Sequence, residues 1–227
     1  MEIPYHPLKG EIVEFLDKYL DNEIIIKASL ESSEITIEGN DAVGTILEEF
    51  IAKLLTEKFE HFIKGESNEP PDIFDEKNKW NLEIKCFNIS NPPSFDIYSI
   101  SKFLGEKEED DWLSKTLYKT DYLIFGYEIN SEGRRYLKSI HQTKLHEILG
   151  YGGKHGISVQ YSGGQYKNIR PSKVSTWNDK TKTPEKFIKH FKKFIGKLPT
   201  EITGNKTKLK QRIQKLFDDL ENELTNN

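Results

Sequence analysis

Residues 121–129 read DYLIFGYEI, a nearly continuous apolar run of strand length. Such a strand is stable only when layers cover both of its faces. The rest of the chain offers material for those layers. Residues 11–20 set Ile12, Phe15, Leu16 and Tyr19 at helical spacing, and residues 23–38 predict a hairpin of EIIIKA and EITIE. GNDAVGTILEEFIAKLLTEKF predicts the strongest helix, capped by Asn40 or Asp41 and lined by Val43, Ile46, Leu47, Phe50, Ile51, Leu54 and Leu55. A short strand near Asp72, a turn at DEKNK and a strand from Trp80 to Phe87 come next. Beyond 121–129 the pattern predicts a strand at GISVQY, a basic amphipathic helix at TPEKFIKHFKKFIGK and, after the linker LPTEITGN, a last helix at TKLKQRIQKLFDDLENEL. Strands interleaved with helices predict an α/β (α+β) fold, a central mixed β-sheet flanked by helices.

With 227 residues the chain is long enough for one sizeable core and short for two ordinary domains. The expectation is a single domain over 1–198, with its core at about 40–130 and a basic part at about 134–198, followed by a C-terminal helical extension over 199–227. Cys86 is the single cysteine, so no intramolecular disulfide is possible. No apolar run is long enough for a membrane span or a signal peptide, and a cytoplasmic protein is expected. The net charge of −4 hides a steep asymmetry. Lys+Arg minus Asp+Glu is 13 − 29 = −16 over residues 1–133, 20 − 4 = +16 over 134–215 and 0 − 4 = −4 in the tail. The second segment is a candidate polyanion surface; the alternative is ordinary solvent-exposed charge.

Chemistry concentrates in PPDIFDEKNKWNLEIKCF, residues 70–87. Side chains alternate along a strand, so Leu82, Ile84 and Cys86 face one side while Asn81, Glu83, Lys85 and Phe87 face the other. The DEKNK turn lets the preceding strand bring Asp72 to the face of Glu83 and Lys85. Two carboxylates are the donors Mg²⁺ takes from a protein, the remaining positions going to water and phosphate oxygens, and a lysine beside them can orient or deprotonate an attacking water. Glu48 lies on the margin of the helix's apolar stripe and can reach inward, whereas Glu49 falls on the polar side.

Gly44 to Leu55 with Glu48, then Pro71-Asp72, then Glu83-Ile84-Lys85 resembles the PD-(D/E)XK nuclease superfamily, and in size and layout is most similar to type II restriction endonucleases. The likeness is carried by residues 43–87 and continues beyond them in element order. DYLIFGYEI, ISVQY and FIKHFKKF also look like the branch that includes EcoRV and HincII. The resemblance implies a restriction-endonuclease-like core and Mg²⁺ held by Asp72, Glu83 and the Ile84 backbone carbonyl. It also implies that Lys85 serves the attacking water and that Glu48 supports the site or a second metal. The implied activity is in-line hydrolysis of both strands of DNA at a specific sequence, leaving 5′-phosphate and 3′-hydroxyl ends, in a bacterial or archaeal cell. A repair or junction-resolving nuclease of the same fold, or a non-catalytic DNA-binding protein, are the alternatives.

Six of the fifteen glycines fall in residues 150–164, among tyrosines, Lys154, His155, Gln160, Gln165, Lys167, Asn168 and Arg170. This is not a phosphate-binding P-loop, because His155 stands where a Ser or Thr would hold magnesium. A glycine-turned ribbon bearing Gln, Asn, Lys and Arg suits the major groove of DNA, with Lys154, Gln160, Gln165, Lys167, Asn168 and Arg170 as the candidate contacts. A glycine-tight hairpin with solvated polar residues is the other reading. NPPSFDIYSISKF follows the lysine strand and is expected to set Ser94, Ser99, Ser101 and Lys102 near the metal face, toward backbone phosphates; a capped helix start on the core is the other reading. HQTKLHEILG has no second histidine at zinc-protease spacing, so His141, His146 and His190 are expected to be surface or packing residues, and Cys86 a small buried hydrophobe. In the last helix Leu209, Ile213, Leu216, Leu220 and Leu224 form a stripe whose first half is basic and second half acidic. Antiparallel pairing of two copies would make those halves complementary, the alternative being that the stripe packs on its own chain's core; a homodimer on double-stranded DNA is expected.

Overall fold

A computed structural model describes residues 3–30, 33–36, 43–66, 70–100 and 116–198, with single helical positions at 214, 215, 218 and 222. The caps at Asn40 and Asp41, Lys102 and nearly all of the last helix lie outside the described residues. The chain divides into two compact units, one of residues 5–93 and 121–143, the other of 1–4, 94–120 and 144–227.

The first unit is built on a five-stranded sheet in the order β3-β4-β5-β7-β8, where β3 is Phe62–Lys64, β4 Ile73–Asp75, β5 Trp80–Asn88, β7 Thr120–Ile129 and β8 Arg135–Thr143. Neighbours are antiparallel except at the centre. There Trp80, at the start of β5, donates to Asp121 at the start of β7, and the Ile89 amide just past β5 donates to the Tyr127 carbonyl near the end of β7. The two strands therefore run the same way, and the sheet is mixed, as the sequence predicts. Helices α1 (Lys9–Asp17) and α2 (Val43–Lys58) bury Ile12, Leu16, Val43, Leu47, Ile51 and Leu55 against Ile73, Leu82, Ile84, Leu123 and Phe125 of the sheet. β7 is buried from Thr120 through Tyr127, as a strand covered on both faces must be.

Three local expectations change. Ile46 and Phe50 are 37% and 52% exposed, because the face of α2 turned to the sheet is the row Val43, Leu47, Ile51, Leu55 with Ala52. The first hairpin strand, β1, runs Lys27–Leu30 against β2, Ser33–Thr36, while Glu23 makes an isolated bridge to Tyr136. β8 was not legible as a strand: it buries Arg135, Gln142 and Thr143, and its register shifts opposite Gly126 and Tyr127. Polar burial and a bulge together erase the period-2 signal.

In the second unit, β11 (Val159–Ser162) and β12 (Gln165–Ile169) form an antiparallel hairpin that turns through Gly163 and Gly164, at φ 58° and 76°. Two consecutive left-handed residues are what a tight hairpin of this hand requires. β6 (Tyr98–Ser99) joins as a third strand, Tyr98 opposite Ile169, and β9 (Tyr151–Gly152) pairs with β10 (Gly156–Ile157). The basic helix spans Pro184–Ile195, capped by the Thr183 hydroxyl oxygen, which accepts from the Lys186 amide; it buries Phe187, Ile188, Phe191 and Phe194. The Tyr166 ring meets Phe194 edge-on, fixing the hairpin to this helix.

Candidate active site

β4 is three residues long and β5 nine, so their pairing ends with Ile73 opposite Leu82 and the edge of β5 beyond is left without a strand. Two carboxylates take its backbone donors. Asp72 Oδ2 accepts from the Ile84 amide at 2.6 Å, and Glu48 Oε1, reaching across from α2, accepts from the Cys86 amide at 2.9 Å. Gly65 lets the chain before Asp72 lie this close: its amide donates to the Asp72 carbonyl at 2.9 Å, and a Cβ there would collide with the Pro71 carbonyl oxygen.

Strand alternation puts Leu82, Ile84 and Cys86 into the core and turns Glu83 and Lys85 to the other face. Lys85 Nζ stands 3.3 Å from Glu83 Oε2 and 3.6 Å from Asp72 Oδ2. Side-chain exposure is 11% at Glu83, 16% at Lys85 and 34% at Asp72, so solvent reaches the cluster from the Asp72 side. Burial pushes the Glu83 carboxyl up to about 7 against the pull of Lys85, with the neighbouring Asp72 and Glu48 charges adding to the rise. Glu48 is likewise pushed up to about 7 by burial, offset in part by Lys85 and the Cys86 amide. Burial works against the Lys85 ammonium, but Glu83, Asp72 and Glu48 outweigh it and hold the lysine above its ordinary range. Two carboxyls thus touch one cation with a third nearby, and burial, reinforced by their mutual repulsion, leaves two of them reluctant acids. Glu49, next to Glu48 in sequence, is exposed and ion-paired with Lys64.

Among the described residues no three His, Cys, Asp or Glu side chains converge tightly enough to cage a metal by themselves. Two carboxylates and a backbone carbonyl are instead the partial, all-oxygen set that suits Mg²⁺, which leaves positions for water and phosphate oxygens. The donor chemistry fits that ion. Cys86 is buried in the core and its thiol is pushed well above the ordinary range, by burial first and then by Glu48.

Most of the other candidate residues gather on the hairpin of the second unit, and Lys154 lies in the turn between β9 and β10. Gln160 Oε1 accepts from Arg170 Nη2 at 2.8 Å and from Asn168 Nδ2 at 3.2 Å, and Lys167 Nζ donates to Gln165 Oε1 at 2.7 Å. Lys154 is exposed, and Lys197 Nζ donates to its carbonyl. Ser94 is exposed and Ser99 pairs with Asn168, so both belong with these strands and not with the unit that carries Asp72. His190 Nδ1 lies 3.1 Å from the Gly156 carbonyl, and His146 is buried. Sequence reasoning missed Asp96, whose Oδ1 lies 3.0 Å from Arg170 Nη2. The two are 74 positions apart, and only the pairing of β6 with β12 brings them together.

Comparison with known proteins gives the family. A family model described as NgoBV restriction endonuclease matches residues 11–225. The type II restriction enzyme NlaIV of Neisseria lactamica is 28% identical over 168 residues, which is 70% of this chain and 68% of the relative. A solved structure of NlaIV restriction endonuclease superposes with a TM-score of 0.73 at 24% identity, covering 94% of this chain and 89% of the other. The chain therefore belongs to the NgoBV restriction endonuclease family and is a type II restriction enzyme, a sequence-specific DNA endonuclease.

Proposed function

We propose that this enzyme cuts double-stranded DNA with Mg²⁺ at the site formed by Asp72, Glu83, Lys85 and Glu48. The observation that carries the reading is the convergence of Asp72 and Glu83 on Lys85 at the open edge of β5, with Glu48 bonded to that edge at Cys86 and Glu83 and Glu48 both pushed up to about 7. Asp72, Glu83 and the Ile84 carbonyl would hold the ion. Bound there, Mg²⁺ supplies positive charge to the scissile phosphate and makes water a stronger acid. The chain's own residues do the rest. Lys85, held protonated by its acidic neighbours, donates hydrogen bonds that orient the attacking water and offset charge building on the phosphate. Glu48 fixes the Cys86 amide, and with it the stretch of β5 that carries Lys85. Asp72 does the same for the Ile84 amide.

The two glycine-turned strand pairs of the second unit, β9-β10 and β11-β12, are the proposed DNA-reading element, through Lys154, Gln160, Gln165, Lys167, Asn168 and Arg170, with Ser94 and Lys102 toward the backbone. Residues 134–215 carry a net +16, which supplies the long-range attraction to a polyanion. Residues 1–198 act as one nuclease and 199–227 as a helical extension that contributes to a homodimer, since a double-strand cut at a palindromic site calls for two such clusters. The place of action is the cytoplasm of a bacterial or archaeal cell; no helix among the described residues is long and apolar enough to cross a membrane. Incubation with a long linear duplex tests the whole reading. Discrete fragments in Mg²⁺ and none in chelator are expected. Cutting that persists undiminished in chelator would exclude the metal.

A further inference from the structure

The polar residues of the reading hairpin are not equivalent, and Asp96 is what separates them. Asp96 lies two residues before β6, and Arg170 follows β12 directly; the antiparallel pairing of Tyr98 with Ile169 sets their side chains together. Arg170 Nη2 is shared by Asp96 Oδ1 at 3.0 Å and Gln160 Oε1 at 2.8 Å, acceptors from two different strands. The Gln160 oxygen takes a second donor, Asn168 Nδ2, at 3.2 Å, which leaves its amide nitrogen as the end able to donate outward. The guanidinium is thus tethered at one nitrogen, three-quarters buried, and matched by one carboxylate. Lys154 and Lys167 are exposed; Lys167 is held by a neutral glutamine, and the Lys154 contact runs through its backbone carbonyl.

We propose that Asp96 is a positioning residue that makes Arg170 and Gln160 a charge-neutral, preset reader of acceptor-bearing base edges, and so a determinant of sequence discrimination. This rests on the reading of the hairpin as the DNA-contacting surface. A free cation gains from any phosphate, whatever the sequence, by releasing counterions. An arginine already neutralised by Asp96 gains little of that. Its fork can still donate to a base edge of the right pattern, and a fork already held in place loses less freedom on docking. Lys154 and Lys167 then supply affinity for all DNA, whereas the Asp96–Arg170–Gln160 cluster separates cognate from non-cognate sites.

Asp96→Asn removes the charge while keeping the shape, and Asp96 is 53% exposed, so the fold should tolerate it. Two probes are needed: a duplex carrying a site that the enzyme cuts, mapped by sequencing fragment ends, and the same duplex with one base pair changed. For Asp96→Asn we expect several-fold tighter binding to the altered duplex and a salt slope steeper by about one. The ratio of cleavage rates between the two duplexes should fall about tenfold. Asp96→Glu should recover most of the discrimination. A merely structural role would weaken both duplexes alike and leave the ratio unchanged, which would overturn the inference, as would unchanged non-cognate binding. Lys154→Ala and Lys167→Ala separate the two levels of the argument. If they weaken binding while Asp96→Asn changes neither the ratio nor the slope, this inference alone fails. If they leave binding to both duplexes untouched, the hairpin is not the DNA surface and the inference falls with it.

Discussion

Asp72 and Asp75 stand at the two ends of one three-residue strand, and their surroundings are opposite. Asp75 is wholly buried, and its oxygens are fully engaged: the amides of Lys77 and Asn78 donate to Oδ1 at 2.9 and 3.0 Å, Asn78 Nδ2 donates to Oδ2 at 2.6 Å, and His6 Nε2 lies 2.8 Å from Oδ2. Burial alone would raise its pKa, yet the Asn78 hydrogen bonds and the two histidines bring it below the ordinary value. Asp121 beside it is equally engaged, accepting from the His6 amide, Trp80 Nε1 and Gln142 Nε2. At the other end, Asp72 is a third exposed, Lys85 is shared between Asp72 and Glu83, and Glu83 and Glu48 are pushed up to about 7. The difference is one of unpaired charge. Where each carboxylate has its donors, buried acids hold the sheet together; where acids outnumber donors beside solvent, the protein keeps a place that gains from a cation.

Removing each acid is the sharpest way to break that comparison. Asp72→Ala, Glu83→Ala and Lys85→Ala should each lower the initial rate of plasmid cleavage in Mg²⁺ by roughly 10³-fold or more, because the residues act as one unit. The fold should survive. Glu83→Gln should even raise the melting temperature at pH 8, where the parent carries a buried carboxylate that burial disfavours. A variant that cuts at near the parent rate would remove its residue from the site.

Asp75→Ala should do the reverse, costing roughly 3 kcal/mol in urea unfolding, since it takes the acceptor from buried His6 and from the part-buried Lys77 and Asn78 donors at once. The rate per folded molecule should stay close to the parent's. A loss of rate without loss of stability would mean that the two ends of β4 are not separate in function.

These two ends also differed in how well they could be read from sequence. The Asp72, Glu83 and Lys85 cluster follows from strand alternation and one short turn, local rules that act over residues 70–87. The fold class was legible for the same reason, since the 121–129 run and the amphipathic helices carry strong periodic signals. The His6 and Asp121 network was not. His6 meets an aspartate 69 positions away and another 115 away, and nothing in MEIPYHPLKG marks it as buried. The same limit hid Asp96 and the strand β8, whose polar side chains are satisfied only by partners distant in sequence. Ile46 and Phe50 failed differently: they share the helical period but fall just outside the face that the sheet covers.

Stability against pH sharpens the comparison further, because the clusters have slopes of opposite sign. His6 Nδ1 accepts from the Leu8 amide, leaving Nε2 to carry the proton toward Asp75. Burial lowers its pKa from 6.5, against the pull of Asp75 and Asp121. A histidine depressed in the folded state contributes stability that is present above 6.5 and lost as pH falls through the lowered value. Glu83 is raised from 4.5 to about 7, so its contribution is present below 4.5 and lost as pH rises through 7, on the order of 3 kcal/mol. Between about 4.5 and 6.5 the two contributions therefore oppose each other in melting curves taken in chelator. His6→Gln should steepen the fall in stability with rising pH, and Glu83→Gln should remove that fall. If Glu83→Gln left the fall unchanged, its raised pKa would not be the source.

The smallest effects should come from two adjacent glutamates on α2, and they test the helix-face argument most finely. Glu48 Oε1 takes the Cys86 amide at 2.9 Å on the sheet side, whereas Glu49 faces solvent, with its side chain 53% exposed beside Lys64. Glu48→Ala leaves a buried backbone donor without an acceptor, at a cost of about 1–3 kcal/mol, and loosens the strand that carries Lys85. Cleavage should fall roughly 10- to 100-fold, as it does when a supporting partner of a metal site is lost. Glu48→Gln keeps an acceptor for Cys86 and should recover most of the stability, so any rate deficit that remains reports the missing charge. Glu49→Ala removes only a surface ion pair, worth about 0–1 kcal/mol, and should leave the rate within about twofold of the parent. Equal losses at the two positions, in rate and in melting temperature alike, would mean that α2 does not present Glu48 alone to the open edge of β5.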